Sequence, residues 1–404
     1  MTFTVLTDHQ VGEILENLTV DELDEFRHVL ASALHEFSNS TDAGDGDVYQ
    51  QPHRITTFHS ASSATTLYMP SCGPEGMGCK AWLHAELATV VSLTSSVAAQ
   101  DANVKPISPT GVVNLFRPDG SPLGLVHAST LTAFRTALAS ACLLHRRNHV
   151  KTLTVFGSGS QAYWHVRLAL LMRGSTIRHV HIINRRFSDR AGSILKKFTI
   201  VPASVKEREG WPHAKFSILT PTFYDFDRLQ KEQIRSADVI YCCTPSRQEL
   251  FDASILTSHE GRKKGRLIVA VGSYTPEMRE LPEGLLQLVT KPHDRLHRHF
   301  HKHADEGGVI IVDTLDGAMK EAGEIISAKI SPHQMVELGE LVMLHRLAVE
   351  ESDEGKKEDG LARWLRDGTV VYKSVGLGLM DLVVGMHLVK LANEKNVGTQ
   401  IEGF

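Results

Sequence analysis

Glycines, small polar residues and two arginines occur between residues 152 and 186 in a pattern that could hold a dinucleotide. The apolar run 153–156 leads into GSGSQA, a helix-like stretch follows, and a second apolar run covers 180–183. A strand, a tight glycine turn and a helix N-terminus bring backbone N–H groups and the positive helix end onto a pyrophosphate. The sequence therefore predicts dinucleotide binding at Gly157, Ser158, Gly159, Ser160, Gln161 and Ala162.

The residues after the second apolar run indicate which dinucleotide is bound. Sites for NAD usually carry an acidic residue there, which accepts hydrogen bonds from the ribose 2′-hydroxyl. This chain has Asn184, Arg185 and Arg186 instead, and two guanidiniums can pair with a 2′-phosphate. A solvated basic loop is the alternative interpretation. We predict NADPH rather than NADH, with Thr244, at the end of another predicted strand, contacting the nicotinamide or its ribose.

Three cationic residues outside the glycine turn have unusual neighbours. Arg54 opens a β-like run, Lys80 lies between glycines and apolar residues, and Arg135 interrupts an otherwise nearly uncharged helix. A cation is expensive to bury unless it meets an anion. Each residue taken alone is explained by an internal ion pair, whereas the three together could form a pocket for a substrate carboxylate that faces the nicotinamide.

Composition excludes several classes of partner. The chain has 404 residues and a formal net charge of −4, so it lacks the excess of basic residues that is typical of proteins that bind nucleic acid or an anionic membrane. No apolar run approaches the length of a membrane span, and the N-terminus lacks a signal-peptide pattern. Five irregularly spaced cysteines fit reduced thiols in the cytoplasm.

The elements that must position these residues alternate in type along the chain. Residues 10–38 have helical spacing, short β-like runs fill 48–122 with a hairpin at FRPDGSPLG, and a helix covers 130–146. Strand and helix signals then alternate, which predicts a doubly wound parallel sheet of the Rossmann type. The C-terminal sequence TVVYKSVGLGLMDLVVGMHLVKLANEK predicts a short strand, a glycine turn and a long apolar helix that packs on the first domain. We therefore predict that residues 131–367 form a nucleotide domain, inserted into a discontinuous mixed α/β substrate and dimerisation domain at 1–130 plus 368–404.

Other residues with metal-binding or acid–base side chains have more than one interpretation. The His-rich segment 293–303 contains interleaved Arg and Lys that would repel a dication, so we predict a surface loop and no metal site. Asp313 and Asp381 are predicted to be either helix caps or pocket residues.

Six motifs in a fixed order resemble one family. They are QPHR with Arg54, the isolated Lys80, TAFRTA with Arg135, GSGSQA, VGSYTPEMREL at 271–281 and YKSVGLGLMD at 372–381. In this order they resemble the ornithine cyclodeaminase and mu-crystallin family. The resemblance implies a homodimer built through the substrate domain, and it implies that Arg54, Lys80 and Arg135 hold the substrate carboxylate and assist proton transfer.

A departure from the family pattern points to the reaction. Cyclodeaminases carry an aspartate in the loop where this chain has Gly272-Ser273-Tyr274. The sequence from Pro276 to Leu281 looks more like that of the mu-crystallin branch, which resembles ketimine reductases. We therefore predict an NADPH-dependent reductase of carboxylate-bearing imines, with Tyr274 in the substrate pocket. Lys80 is either the proton donor or an anion anchor. The alternatives are a cyclodeaminase with tightly bound NAD, an amino-acid dehydrogenase and an inactive NADPH-binding protein.

Overall fold

The computed structural model describes residues 2–43, 49–60, 64–85, 110–291, 308–341 and 360–404. The chain divides into two compact units. Unit 1 comprises Met1–Leu18, Gly44–Thr132 and Leu377–Phe404, and unit 2 comprises Thr19–Ala43 and Ala133–Gly376. The predicted fold class, a doubly wound parallel sheet with a second mixed α/β domain, is confirmed by the sheets of these units.

Unit 1 contains a mixed sheet of seven strands within the described residues. The order is β15-β1-β6-β5-β4-β3-β2, in which only β1 and β6 are parallel neighbours. The strands are β1 (Thr2–Leu6), β2 (Ile55–His59), β3 (Ala64–Gly73), β4 (Gly76–Ala85), β5 (Thr110–Phe116), β6 (Pro122–His127) and β15 (Thr399–Glu402).

Two sequence predictions for unit 1 agree with the structure. The segment FRPDGSPLG forms the predicted hairpin between β5 and β6, with Gly120 at a φ of +82° and its N–H donating to the Arg117 carbonyl. Residues Gly378–Glu394 form the predicted apolar helix, which packs on β3, β4 and β5. Because the helix buries side chains such as Leu379, Leu382 and Leu388, it closes the core of unit 1.

Unit 2 contains an eight-stranded sheet in which every pairing is parallel. The order is β13-β12-β14-β11-β10-β7-β8-β9. Chain order reverses between β7 and β10, and ligands bind at such a switch point, outside the carboxyl ends of the strands. The strands are β7 (Thr152–Phe156), β8 (His179–Ile183), β9 (Lys215–Leu219), β10 (Val239–Cys242), β11 (Leu267–Ala270), β12 (Ile310–Val312), β13 (Met335–Glu337) and β14 (Val370–Lys373).

Central strands of this sheet are buried on both faces. Every residue of β7, β10, β11 and β14 is buried, as expected for a parallel sheet covered by helices. The helices of the described residues are α1 (Asp8–Glu16), α2 (Val20–Ala43), α3 (Ala128–Leu144), α4 (Ser160–Arg173), α5 (Asp189–Ile200), α6 (Ala203–Arg208), α7 (Phe226–Ser236), α8 (Ser254–Thr257), α9 (His259–Arg262), α10 (Glu283–Val289), α11 (Leu315–Glu321), α12 (Gly323–Ser327), α13 (Gly360–Asp367) and α14 (Gly378–Glu394), with a 3₁₀ turn at Pro332–Gln334.

Two sequence expectations differ from the structure. The single helix predicted over 10–38 is two helices, because Thr19 and Glu22 form a reciprocal hydrogen-bonded cap that begins α2. Residues 19–43 and 368–376, assigned to the substrate domain from sequence, lie in unit 2. Helix α2 contacts that unit through the Ser38 hydroxyl, which donates to Glu337, and β14 pairs with β11 and β12.

The predicted surface loop at 293–303 lies outside the described residues. In the part of the chain that is described, no helix combines the length and apolar character required to cross a membrane.

Candidate active site

The glycine turn lies at the switch point of the parallel sheet. Gly157 follows β7 with a φ of +105°, and a Cβ there would lie 2.8 Å from the Cys243 carbonyl oxygen. Gly159 is the N-cap of α4, and a Cβ there would meet no described atom within 4 Å. Because no side chain of the described residues caps α4, its first N–H groups and the space beside Gly159 suit a phosphate group.

A cleft of about 870 Å³ in unit 2 opens beside this turn. This volume is within the range of small-molecule and cofactor sites, roughly 300 to 1,000 Å³. Seven of the ten predicted cofactor residues line it, namely Gly157, Ser158, Gly159, Asn184, Arg185, Arg186 and Thr244.

The remaining three predicted cofactor residues lie in the first turn of α4 and do not line the cleft. Ala162 is fully buried, so it serves close packing of the helix, as a small residue should. The side-chain oxygen of Gln161 is buried and has no hydrogen-bond partner among the described residues, so an acceptor is left open beside the turn. Ser160 is exposed.

The two arginines follow β8 and line the cleft. Asn184 donates a hydrogen bond from Nδ2 to the Arg186 carbonyl at 2.9 Å, which shapes the loop, and both guanidiniums are exposed. An acidic side chain, Asp189 in the first turn of α5, also lines the cleft and is exposed. The cleft thus offers two cations and one anion near the end of β8.

A buried carboxylate, Glu280, joins two loops at the carboxyl edge of the sheet. One oxygen accepts from the Thr244 N–H at 2.7 Å and the Thr244 hydroxyl at 3.1 Å. The other accepts from the N–H groups of Gly272 at 2.7 Å and Ser273 at 3.2 Å. Glu280 lies within the 271–281 motif, but no local pattern marks its role, because its partners Gly272 and Thr244 lie eight and 36 positions away.

A lysine and a second glutamate complete this buried cluster. The Lys373 Nζ donates to the Ser273 hydroxyl at 2.7 Å and lies 3.6 Å from Glu324 Oε1, while the Ser273 hydroxyl donates to the other Glu324 oxygen. All three side chains are at most 1 % exposed. The Ser273 hydroxyl therefore forms its hydrogen bonds inside the protein, with Lys373 and Glu324. Its neighbour Tyr274 is half-buried.

Asp313 holds the loop that follows β14. Its carboxylate accepts from the Ser374 hydroxyl at 2.8 Å, the Val375 N–H at 3.0 Å and the Gly376 N–H at 2.7 Å. The interpretation of Asp313 as the cap of the next helix is wrong, since Thr314 is the N-cap. The buried guanidinium of Arg135 lies against this loop, because a Cβ on Gly376 would come within 2.8 Å of it.

Lys80 pairs with an acid in unit 1. Its Nζ lies 3.2 Å from both oxygens of Asp381, and the two side chains are 3 % and 0 % exposed. The interpretation of Asp381 as a helix cap is wrong, because Leu377 is the N-cap of α14 and Asp381 lies inside the first turn. Lys80 also lies 5.0 Å from the ring centre of Trp82. Arg54, the third predicted cation, is half-buried just before β2.

His165 ties α4 to α3 inside unit 2. Its Nδ1 donates to the Gln161 carbonyl at 2.8 Å, and its Nε2 lies 2.9 Å from the Ser140 hydroxyl oxygen. Burial lowers the pKa of His165 to about 4 from 6.5. The unfolded chain therefore binds this proton first as the pH falls.

We expect acid to destabilise the protein through this histidine. Its contribution to stability is complete above about pH 6.5 and is lost as the pH falls toward 4, to the extent of about 3 kcal/mol. Urea unfolding across this pH range should give a shallower decline for His165→Gln than for the wild type. Parallel curves would contradict the assignment.

No protein-family model matches the chain. The chain is 26 % identical to the Delta(1)-pyrroline-2-carboxylate reductase of Bacillus cereus, over 87 % of this chain and 89 % of that protein. It is 24 % identical to the ketimine reductase mu-crystallin of Rattus norvegicus, over 88 % of each chain. These homologues confirm the resemblance that the six motifs predicted.

A solved structure supports the same fold. The Delta(1)-pyrroline-2-carboxylate reductase of Thermococcus litoralis, determined in complex with NADH and L-proline, superposes with a TM-score of 0.67 at 18 % identity. The match covers 99 % of this chain and all of that chain. At 18 % identity, this structural similarity establishes the fold alone.

Proposed function

We propose that this homologue of the ornithine cyclodeaminase and mu-crystallin family reduces imines that carry a carboxylate, with NADPH as the hydride donor. One observation carries the proposal. The open glycine turn, the Arg185–Arg186 pair and Thr244 line a single cleft at the switch point of the parallel sheet. Reductases of this kind among the homologues support the reaction class.

The reaction adds a hydride and a proton to a C=N bond. The cofactor, when bound, supplies the hydride to the imine carbon. The nitrogen takes the proton, so that the products are an amino acid and the oxidised cofactor. Candidate substrates are Δ1-pyrroline-2-carboxylate and Δ1-piperideine-2-carboxylate, which would give cyclic amino acids.

The residues proposed to act on the substrate are cationic or can donate a hydrogen bond. Arg54 and Arg135 would bind the carboxylate, Tyr274 would contribute to the pocket, and Lys80 would either bind the carboxylate or donate the proton to the imine nitrogen. The Lys80–Asp381 pair supports both roles of Lys80, because the acid fixes the ammonium in place. The buried Arg135, held against the 374–376 loop, supports a fixed anion contact.

Activity assays distinguish imine reduction from the alternative functions. With purified protein and NADPH, the two cyclic imine carboxylates should cause stoichiometric NADPH oxidation. Ornithine with NAD should release no ammonia, and a keto acid should react only when an amine is supplied to form the imine. Ammonia release from ornithine would instead indicate a cyclodeaminase, preference for a keto acid plus ammonia would indicate a dehydrogenase, and NADPH binding without turnover would indicate a binding protein.

Preference for NADPH is proposed to come from the arginine pair. The Arg185→Ala variant should raise KM for NADPH by about tenfold, the value of one charge-assisted contact, and should change KM for NADH little. Steady-state rates with both cofactors test this. Equal effects on the two would contradict a phosphate contact, and Lys197→Ala on the neighbouring α5 is a control that removes a cation that does not line the cleft.

A homodimer and a cytoplasmic location remain predictions. The edge strand β2 supports association of unit 1, since Ile55 and Phe58 are 60 % and 64 % exposed. Light scattering in solution tests the dimer.

A further inference from the structure

Glu280 determines the position of the cleft wall that carries Thr244. Its four hydrogen bonds come from two loops that follow β10 and β11, and Thr244 itself lines the cleft. The loops pack in direct contact, since a Cβ on Gly272 would overlap the Thr244 backbone at 2.2 Å. Replacement of the carboxylate would leave buried N–H donors without an acceptor.

The cluster around Glu280 contains more acids than bases. Glu280 and Glu324 contribute two carboxylates and Lys373 one ammonium, and all three are buried. The Cys242 and Cys243 thiols interact electrostatically with Glu280, and burial raises their pKa values well above the usual range, so they remain neutral. A fully ionised cluster would therefore carry one negative charge behind the wall of the cleft.

The excess negative charge depends on the ionisation of Glu280, which is lost in acid. Burial raises the pKa of Glu280 to about 7, while Lys373 and the Thr244 and Gly272 N–H groups oppose the rise and Glu324 adds to it. The cluster is therefore neutral when Glu280 is protonated and negative when it is ionised.

We propose that Glu280 is a positioning residue whose negative charge favours the oxidised nicotinamide over the reduced one in the cleft. This inference rests on the proposed function, because it requires a nicotinamide cofactor. The oxidised ring carries a positive charge and the reduced ring carries none, so a buried carboxylate distinguishes them. Since positive charge develops on the ring as hydride leaves, the same carboxylate would stabilise hydride donation.

The experiment compares the Kd values of NADP⁺ and NADPH for wild-type protein, Glu280→Gln and Glu249→Gln. Glu249 is the control because it is an exposed carboxylate in the same cleft, where solvent and salt screen its charge. For Glu280→Gln, the ratio Kd(NADP⁺)/Kd(NADPH) should rise by about fivefold to tenfold, in the lower range of couplings within proteins. For Glu249→Gln the ratio should stay near the wild-type value.

Each outcome decides between explanations. A purely structural role for Glu280 would weaken both nucleotides equally and leave the ratio unchanged, which would overturn the inference. The same ratio change in Glu249→Gln would assign the effect to the total charge of the cleft and would also overturn it. If wild-type protein binds neither nucleotide, the proposed function itself is wrong.

Wild-type protein provides a second measurement if Glu280→Gln does not fold. Between about pH 6 and about pH 8.5 the ratio Kd(NADP⁺)/Kd(NADPH) should fall several-fold as Glu280 ionises. The 2′-phosphate is common to both nucleotides, so its titration cancels in the ratio. A ratio that does not change with pH would overturn the inference.

Discussion

The Gly157→Ala variant is expected to bind NADPH about 100-fold more weakly than wild type, a loss of about 3 kcal/mol that combines backbone strain with steric overlap. The native φ of +105° is unfavourable for alanine, and the new Cβ would approach the Cys243 carbonyl oxygen to 2.8 Å. The wall that carries Cys243 and Thr244 would have to move. Isothermal titration with NADPH measures the affinity.

Gly159→Ala is the matched variant that separates ligand binding from folding. Its φ of −88° suits alanine, and a Cβ would meet nothing within 4 Å, so stability should change by less than about 0.5 kcal/mol. NADPH affinity should nevertheless fall, because the methyl group takes the space needed by the pyrophosphate. Wild-type NADPH affinity in Gly159→Ala would contradict cofactor binding at this turn.

Features fixed by neighbouring residues could be predicted from the sequence. The strand, glycine turn and helix around residues 152–173 depend on local apolar runs and on glycine, and the structure has them as predicted. The β5–β6 hairpin follows from its turn sequence in the same way. The break between α1 and α2 could also have been found, since Thr19 and Glu22 have the spacing of a capping box.

Features fixed by distant partners could not be predicted. Lys80 and Asp381 are 301 residues apart, and no local pattern connects them. Strand β14 enters the sheet between β11 and β12 although it follows both in the chain, so no local pattern assigns residues 368–376 to unit 2. The chemical types of Glu280, Glu324 and Lys373 are visible in the sequence, but their common burial arises only from packing.

The second large effect is expected at Lys80. The Lys80→Met variant should lower kcat/KM for a cyclic imine carboxylate by at least about 100-fold, the usual value of a general acid or a fixed charge contact. It should also destabilise the protein by about 3–5 kcal/mol, because Asp381 remains buried without this ammonium. Activity and urea unfolding must therefore be measured on the same preparation.

A double variant distinguishes chemistry from structure. Lys80→Met combined with Asp381→Asn removes both buried charges and should recover most of the lost stability, since a neutral pair avoids the cost of an uncompensated ion. Activity should not recover, because the ammonium that is proposed to bind the carboxylate or donate the proton is absent. Recovery of kcat/KM together with stability would mean that Lys80 serves only to neutralise Asp381, and the assignment of Lys80 to the reaction would then be wrong.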